Sequence, residues 1–323
     1  MNEFCLPSAL FCTTICSVNI YWRVYMELNR KQFDILEALA TSKEPLTQRK
    51  LEDTTGYSLG TINRVVKELS KEGLIHRGTI TDDGIQALEP YRCKRAVFIA
   101  AGFGTRLVPI TLNTPKPLVR VYGVRIIDRL IDACLEAGID EIWVVRGYLG
   151  ELFDQLLYKY PMVRFLENPA YNEANNISSS LVARHLLSNA YVFEADLLIS
   201  NPSIIRKYHY TSDFLGIKKQ RSDDWCFRVK DGVIVEEKVG GEGDDIWQMV
   251  GISYWNEADG RKLSQDIQDV YNSPGGKERY WEQVPLVYRK EHYTVEIREC
   301  FEEDIVEIDT FKELKAIDKT YDI

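Results

Sequence analysis

The chain has 323 residues, a formal net charge of −9 and an apolar share of 45%. The apolar share is ample for a globular core, and the negative charge argues against a protein whose main task is to bind nucleic acid. Seven cysteines at scattered spacings, without a CxxC pair, argue against a zinc site or a disulfide framework and are typical of reduced thiols in a cytoplasmic protein.

Residues 1–25 are predicted to be an extension outside the fold. The stretch 11–24 is fairly apolar, but it lacks a basic region before it and ends in Tyr-Trp-Arg, not in small residues. It is too short and too polar for a confident membrane span. We therefore expect a cytoplasmic protein without a membrane partner, and Met26 is a candidate for the true start.

Residues 26–92 show the pattern of a small helical domain with a hairpin. Apolar residues recur at a helical period, and polar caps and glycines punctuate them. The predicted elements are a helix over 30–40, a helix over 48–55 capped by Thr47 and ended by Gly56, a helix from the cap Ser58 to about residue 72, a strand from Gly73, and a wing around Asp82-Asp83-Gly84. This order resembles the winged helix-turn-helix family of bacterial regulators.

That resemblance implies a DNA-facing third helix, which would present Thr61, Asn63, Arg64 and Lys67. However, residues 30–92 hold ten basic and ten acidic residues, whereas DNA binders usually carry a basic surface. The alternative is a solvated helix face on a module used for dimerisation or regulation, which leaves a homodimer open.

Residues 93–323 alternate strand-like and helix-like segments. The predicted strands cover 95–101, 141–145 and 191–194, and the predicted helices cover 126–137 and 177–187. This order predicts an α/β fold with a mostly parallel, mixed sheet, preceded by the small winged-helix domain.

The strongest motif follows the first strand of this domain. It consists of two runs, Ala100-Ala101-Gly102-Phe103-Gly104-Thr105-Arg106 and Pro115-Lys116-Pro117-Leu118. Glycines allow the backbone to approach a triphosphate, and Arg106 and Lys116 add positive charge. Val108 replaces the third glycine of a dinucleotide-binding loop, and the Walker pattern is absent. The motif resembles the G-x-G-T-R and P-K-P signature of the sugar-nucleotide pyrophosphorylases, which implies a Rossmann-like nucleotidyltransferase domain.

Two aspartates follow strand-like runs and are candidates for a magnesium site. Asp196 comes after the run 191–194, and Asp309 after the run 305–308. Each could instead be a helix cap, but the superfamily resemblance implies that the two hold Mg²⁺. Glu194 and Glu307 are weaker candidates because alternation along a strand directs their side chains to the other face.

A closer resemblance, to the bacterial choline-phosphate cytidylyltransferases, rests on several segments. They are Arg146-Gly147-Tyr148, the run 168–180, Glu194-Ala195-Asp196, Asp224-Trp225, the run 251–255, Tyr280-Trp281-Glu282 and Glu307-Ile308-Asp309. The resemblance implies transfer of CMP from CTP to phosphocholine without a covalent intermediate. It places the nucleobase and ribose near Asn175, Asn176 and Ser178, although Asn175 could simply cap a helix.

A choline group cannot donate a hydrogen bond and is recognised by aromatic faces and carboxylates. The expected choline pocket comprises Trp225, Trp255, Tyr280, Trp281 and Glu282, although aromatic residues are also common in cores. Two other functions stay open. One is a sugar-1-phosphate nucleotidylyltransferase, which shares the loop and the metal site, and the other is a winged-helix transcriptional regulator that only senses a nucleotide.

Overall fold

The structure is a computed structural model that describes residues 27–42 and 44–322, so the predicted extension lies outside it. Within these ranges the helices are α1 (Arg30–Thr41), α2 (Gln48–Thr55), α3 (Leu59–Lys71), α4 (Asp82–Leu88), α5 (Ile126–Glu136), α6 (Ile177–Ala183), α7 (Glu257–Tyr271) and α8 (Phe311–Ile317). None of them combines the length and apolar character required to cross a membrane.

The strands of the same ranges are mostly short. They are β1 (Ile75–His76), β2 (Thr79–Ile80), β3 (Arg95–Ile99), β4 (Arg120–Val121), β5 (Val124–Arg125), β6 (Glu141–Arg146), β7 (Arg164–Glu167), β8 (Ala190–Glu194), β9 (Leu197–Ile199), β10 (Asp213–Lys218), β11 (Arg221–Lys230), β12 (Val233–Glu242), β13 (Ile246–Trp255), β14 (Glu296–Cys300) and β15 (Ile305–Glu307).

The winged helix begins with the three predicted helices, and their caps are as expected. The Thr47 and Ser58 side chains accept hydrogen bonds from backbone amides in the first turns of α2 and α3, and Gly56 ends α2 at φ +70°. On α3, Asn63, Arg64 and Lys67 are exposed and Thr61 is half-buried. A contact between this face and DNA stays a prediction.

The predicted position of the wing is wrong. The β1–β2 hairpin turns at residues 77–78, and Asp82 and Asp83 lie in the first turn of a fourth helix, α4. The Thr81 hydroxyl accepts a hydrogen bond from the Gly84 amide and caps this helix. Acidic residues suit both a turn and a helix N-terminus, and the preceding threonine cap decides between them here.

A nine-stranded mixed sheet forms the larger domain, in the order β10-β14-β12-β11-β13-β8-β3-β6-β7. Parallel pairing is confined to the run β8-β3-β6-β7 and to β10–β14, and the remaining pairs are antiparallel. The α/β class with a mixed sheet is thus confirmed, with an antiparallel half larger than the predicted strands indicated. Because β3 lies between β6 and β8, the loop after β3 emerges near the centre of the parallel run.

Helices cover both faces of this sheet. Phe98 of β3 and Ile127 of α5 belong to one buried cluster. Val97, which points to the opposite face of β3, belongs to another cluster together with Ile267 of α7. The predicted helix 177–187 is α-helical only over α6 and continues as a 3₁₀ turn at Arg184–Leu186.

The winged helix rests on the larger domain through tyrosines. Tyr91 stacks on Tyr210 with ring centroids 5.6 Å apart, and Phe33 of α1 packs against both rings. The Arg30 guanidinium also contacts the Glu296 carboxylate at 2.9 Å. The two domains therefore share a half-buried aromatic contact at residues 91 and 210.

Candidate active site

The loop after β3 is open on its outer side and tight on its inner side. Among the described residues, no atom beyond the immediate chain neighbours lies within 4 Å of the position that a Gly102 Cβ would occupy. Gly104 has φ +62°, and a Cβ there would lie 3.1 Å from the Lys116 Cβ. Gly104 thus lets the two motif runs pack together, while Gly102 leaves the backbone accessible to a ligand.

Lys116 joins the two predicted aspartates. Its Nζ lies 2.7 Å from Asp196 Oδ2 and 3.2 Å from Asp309 Oδ1, although only 8% of the residue is exposed. Burial opposes the charge on Lys116, but the two carboxylates outweigh it and raise its pKa. Asp196 and Asp309 follow Lys116 by 80 and 193 positions in the sequence, and they therefore meet at its ammonium group only in the folded chain.

Arg106 completes this group of charges. Its guanidinium holds Asp309 through two contacts, Nη1 to Oδ2 at 2.8 Å and Nη2 to Oδ1 at 2.7 Å. Burial opposes the ionisation of Asp309, but a hydrogen bond with Glu307 and the charge of Lys116 hold its pKa below its ordinary value. Asp309 is thus ionised and bound to both cations of the motif.

A second group of carboxylates lies beside the first. Ligand oxygens of Glu194, Asp196 and Glu307 all lie within 4.8 Å of one another. The expectation that the two glutamates face away is therefore wrong. Residues 195–196 form a turn after β8, so strand alternation no longer applies at Asp196.

This carboxylate trio fits a hard divalent cation. Asp196 Oδ1 is buried and has no hydrogen-bond partner among the residues that the structure describes. Burial and the charge of Asp196 raise the pKa of Glu307 to about 10, as expected for acidic groups crowded together. Oxygen ligands of this kind are those that Mg²⁺ binds.

Gly251 of β13 makes room for the trio. A Cβ at this position would lie 2.3 Å from Glu194 Oε2, closer than any real contact. The glycine therefore allows the Glu194 carboxylate to occupy its place beside Asp196.

Two cavities meet at the loop. One, of about 280 Å³, is bordered by Gly102, Arg106, Lys116, Asn176, Asp196 and Asp309. The other, of about 540 Å³, is bordered by Gly102, Phe103, Tyr171, Asn175, Asn176 and Ser178. Every residue predicted to meet the nucleoside thus lies on the second cavity, and Arg106, Lys116 and the two predicted aspartates lie on the first.

The side chains of these nucleoside-cavity residues are already hydrogen-bonded. Asn175 Nδ2 donates to the Glu278 carbonyl at 3.2 Å, and Ser178 Oγ donates to the Asn175 carbonyl at 2.8 Å. Asn176 Oδ1 accepts from the Trp281 amide at 2.8 Å. These bonds tie the start of α6 to residues 277–282, and their role in reading a base stays a prediction.

The predicted choline pocket is divided between core and surface. Trp255 is fully buried, Trp281 is 3% exposed, and both pack in the hydrophobic core with Phe214. Because their rings fill the core, the structure does not place them on a ligand surface. Trp225 and Tyr280, in contrast, are accessible and form an edge-on pair with centroids 5.5 Å apart.

Sequence reasoning missed Glu237, which lies beside the predicted Glu282. Both Glu237 carboxylate oxygens are buried without a hydrogen-bond partner in the described part of the chain, and burial raises the pKa of Glu237 to about 7. Burial and the charge of Glu237 raise the pKa of Glu282 to about 8. A signal was available, because Glu237 replaces an apolar residue in the alternating row Val233, Val235, Glu237, Val239.

Glu237 and Glu282, here called the acidic pair, are adjacent to the smaller cavity of about 280 Å³. Asn176 Nδ2 contacts Glu282 Oε2 at 3.4 Å, and Asn176 also borders the cavity that contains Lys116. Trp225 and Glu237 lie on one face of the β11–β12 pair, since Trp225 pairs with Val239 and Phe227 with Glu237. The carboxylates and the aromatic pair therefore belong to the same side of the site.

Comparison with known proteins agrees with this geometry. The model of the Nucleotidyl transferase family matches residues 95–207, and that of the MarR family matches residues 27–84. A 2-aminoethylphosphonate cytidylyltransferase of Lancefieldella rimae is 38% identical over 230 residues, which cover 70% of this chain and 92% of that protein. The chain belongs to the nucleotidyl transferase family, among the cytidylyltransferases. Its N-terminal domain is a MarR-type winged helix.

Two further similar proteins come from Streptococcus pneumoniae. A choline-phosphate cytidylyltransferase is 30% identical over 231 residues, covering 70% of this chain and 97% of that protein. The solved structure of a CTP:phosphocholine cytidylyltransferase superposes with a TM-score of 0.65 at 29% identity, covering 71% of this chain and 99% of the other. The enzyme therefore spans nearly the whole length of each relative and adds the winged helix.

Proposed function

We propose that the enzyme transfers CMP from CTP to a small acceptor with a phosphonate or phosphate at one end and a cationic amine at the other. The observation that carries the proposal is Lys116, which lies between Asp196 and Asp309 beside the glycine loop. Nucleotidyl transfer requires positioning and charge neutralisation more than covalent chemistry, and this arrangement supplies both.

In this proposal the triphosphate lies over the loop 100–106 and the nucleoside occupies the larger cavity. Gly102 exposes backbone amides to the phosphates, and Arg106 and Lys116 offset the negative charge that develops on the pyrophosphate leaving group. The acceptor oxygen attacks the α-phosphorus in line, and pyrophosphate leaves.

The carboxylate trio of Glu194, Asp196 and Glu307 would hold Mg²⁺. A bound Mg²⁺ ion supplies Lewis-acid neutralisation of the phosphate charge. Asp309 is the fourth candidate ligand, although the chain already gives it two cationic partners.

The acidic pair favours a primary amine at the other end of the acceptor. A primary ammonium group donates three hydrogen bonds, and the unpartnered oxygens of Glu237 together with Glu282 can accept them. The acceptor named for the Lancefieldella rimae relative, 2-aminoethylphosphonate, has this chemistry. We therefore infer that 2-aminoethylphosphonate is the preferred acceptor.

Phosphocholine is the second candidate, and a specific observation favours it. Trp225 and Tyr280 present an edge-on aromatic pair beside the acidic residues, and aromatic faces attract a quaternary ammonium group. The Streptococcus pneumoniae relatives carry this acceptor in their names. Against it, a quaternary ammonium donates no hydrogen bond to Glu237.

Pyrophosphate release by the purified full chain with Mg²⁺ tests the proposal. We expect release with CTP above the other nucleoside triphosphates, and with 2-aminoethylphosphonate above phosphocholine and a sugar 1-phosphate. Release only with a sugar 1-phosphate would contradict the acceptor assignment. CTP binding without release from any acceptor would favour the nucleotide-sensing regulator instead.

A further inference from the structure

A cleft separates the winged helix from the larger domain beside their aromatic contact. Helix α1 and the segment 202–207 border a cavity of about 800 Å³. A smaller cavity of about 100 Å³ shares Arg30, Asp34, Glu37 and Arg206 with it. The cleft is lined by charged residues of both domains and is distant in sequence from the phosphate loop.

Two of its charged residues serve the domain contact itself. Arg30 Nε lies 3.1 Å from Asp34 Oδ1, and the Arg30 guanidinium also holds Glu296. Asp34 additionally accepts a hydrogen bond from the Tyr57 hydroxyl. These groups are therefore satisfied within the protein.

Four other charged side chains of the cleft are not satisfied in this way. Within residues 27–42 and 44–322, the side chains of Glu37, Glu136, Arg206 and Lys207 make no hydrogen bond and no ion pair, and Lys207 only lies over the Tyr208 ring at 5.3 Å. Burial raises the pKa of Glu37, and the charge of Arg206 opposes that shift without forming a contact. The cleft thus presents two cations on one wall, the segment 202–207, and a carboxylate, Glu37, on the facing helix α1, with a second carboxylate, Glu136, at the end of α5.

The cationic wall is connected to the active site. The Arg206 amide donates to the Tyr191 hydroxyl at 3.0 Å, and Tyr191 belongs to β8, which ends at Glu194. The Ser200 amide donates to the Asp304 carbonyl at 2.7 Å, immediately before β15 and Glu307. The segment 200–207 therefore contacts β8 and the residue that immediately precedes β15, the two strands that carry Glu194 and Glu307.

We propose that this cleft is a second binding site, for a small zwitterion whose phosphonate or phosphate lies at Arg206 and Lys207 and whose amine lies at Glu37. Occupancy of the cleft changes turnover through the segment 200–207. The acceptor and the CMP conjugate of the proposed reaction share this chemistry, so the choice of probes rests on the proposed function, whereas the charges of the cleft do not.

Isothermal titration of the full chain with 2-aminoethylphosphonate, and separately with its CMP conjugate, tests the binding. We expect Arg206→Gln to lose one equivalent of bound ligand per chain. Of the two probes, the one with the higher affinity for this Arg206-dependent equivalent is the ligand that the cleft takes. Arg221→Gln, which alters an exposed arginine on the β11 side of the molecule, should bind as the wild type does. An unchanged titration in Arg206→Gln would overturn the proposal.

Two further measurements separate the zwitterion from simpler ligands and from the active site. Glu37→Gln should weaken the Arg206-dependent equivalent at least about tenfold for 2-aminoethylphosphonate and leave methylphosphonate unaffected. Equal affinity for methylphosphonate in the wild type would overturn the role of the amine. The wild-type rate should depart from a single hyperbola in acceptor concentration, and Arg206→Gln should restore the hyperbola. A hyperbolic wild type would overturn the coupling.

Failure of the proposed function gives a different result. If the chain uses another acceptor, no pyrophosphate is released with 2-aminoethylphosphonate, yet the Arg206-dependent equivalent is still bound. If the cleft proposal fails, pyrophosphate is released and the titration is the same in wild type and Arg206→Gln.

Discussion

The two halves of the large sheet differ in how their charges are partnered. At the carboxyl edge of the parallel run, Lys116 and Arg106 already pair with Asp196 and Asp309. On the antiparallel side, both oxygens of Glu237 lack a partner among the described residues. In the proposed reaction, the first arrangement supplies preorganised charges for phosphate chemistry that many acceptors share, whereas the second binds the cationic end of the acceptor and thereby selects it.

The largest expected effect removes the charge at the centre of the parallel half. Asp196→Asn keeps the side-chain shape but takes away a partner of Lys116 and a member of the carboxylate trio. We expect kcat to fall by about a thousandfold or more, because charge stabilisation at a transferred phosphate is a dominant catalytic contribution. Initial rates of pyrophosphate release measure it.

The matched control is Asp132→Asn, which changes a half-exposed aspartate that pairs with Lys159 in the same domain. It should leave the rate unchanged. Near-normal turnover by Asp196→Asn would rule out the metal assignment and leave the parallel half without its catalytic role.

A smaller loss should follow from crowding the trio without changing any charge. In Gly251→Ala the new methyl group would lie 2.3 Å from Glu194 Oε2, so the carboxylate must move. We expect kcat to fall by about tenfold to a hundredfold, the range associated with displacement of a catalytic group by about 1 Å.

Gly60→Ala is the control for this substitution, because a Cβ at that helical position meets no atom within 4 Å in the described part of the chain beyond its own helix backbone and chain neighbours. It should leave turnover unaffected. Full activity in Gly251→Ala would show that the position of Glu194 does not matter for the reaction.

The contrast between the halves also explains what could be predicted from sequence. The loop, Lys116 and Asp196 follow a short apolar strand in a recognisable order, and their positions follow from the rule that ligands bind at the carboxyl ends of parallel strands. Glu194 and Glu307 were misjudged because alternation holds only inside a regular strand, and the chain turns directly after β8.

The acceptor side was harder to predict because its residues have two uses. A tryptophan can fill the core or form a ligand surface, and only tertiary packing separates the buried Trp255 from the accessible Trp225. Glu237 stands at a valine-rich face of β12, so alternation alone could have identified it as unusual. The long antiparallel strands that create this side carry no motif of their own.

Glu237→Gln tests whether the unpartnered carboxylate is retained for the acceptor. Loss of a charged hydrogen bond to the amine should raise KM for 2-aminoethylphosphonate about tenfold or more, with kcat less affected. Because the pKa of Glu237 is raised to about 7, the wild type should lose acceptor affinity as pH falls below 7. Burial raises the pKa of Glu282 to about 8, so the variant should keep only the smaller pH dependence that Glu282 contributes. KM measured from pH 6 to 8 decides it.

The same substitution should stabilise the fold at high pH. Burial of Glu237 favours its protonated form, so the folded state is penalised as pH rises from the ordinary carboxyl pKa through about 7. At pH 8 we expect Glu237→Gln to raise the free energy of unfolding by about 3 kcal/mol, and at pH 4 to leave it unchanged. Denaturant titration at the two pH values measures it, and a variant less stable at pH 8 would contradict an unpartnered buried charge.

The smallest expected effect sharpens the choice between the two acceptors. Trp225→Leu keeps an apolar side chain beside Tyr280 but removes the aromatic face, which is worth about 1 kcal/mol to a cation at a partly exposed site. KM for phosphocholine should rise about fivefold, while KM for 2-aminoethylphosphonate, held by Glu237 and Glu282, should change less than twofold. Trp143→Leu, at a partly buried tryptophan of β6 in the parallel half, is the matched control and should change neither value. If Trp225→Leu instead weakened both acceptors equally, the aromatic pair would shape the site as a whole, and the antiparallel half would select its acceptor through the carboxylates alone.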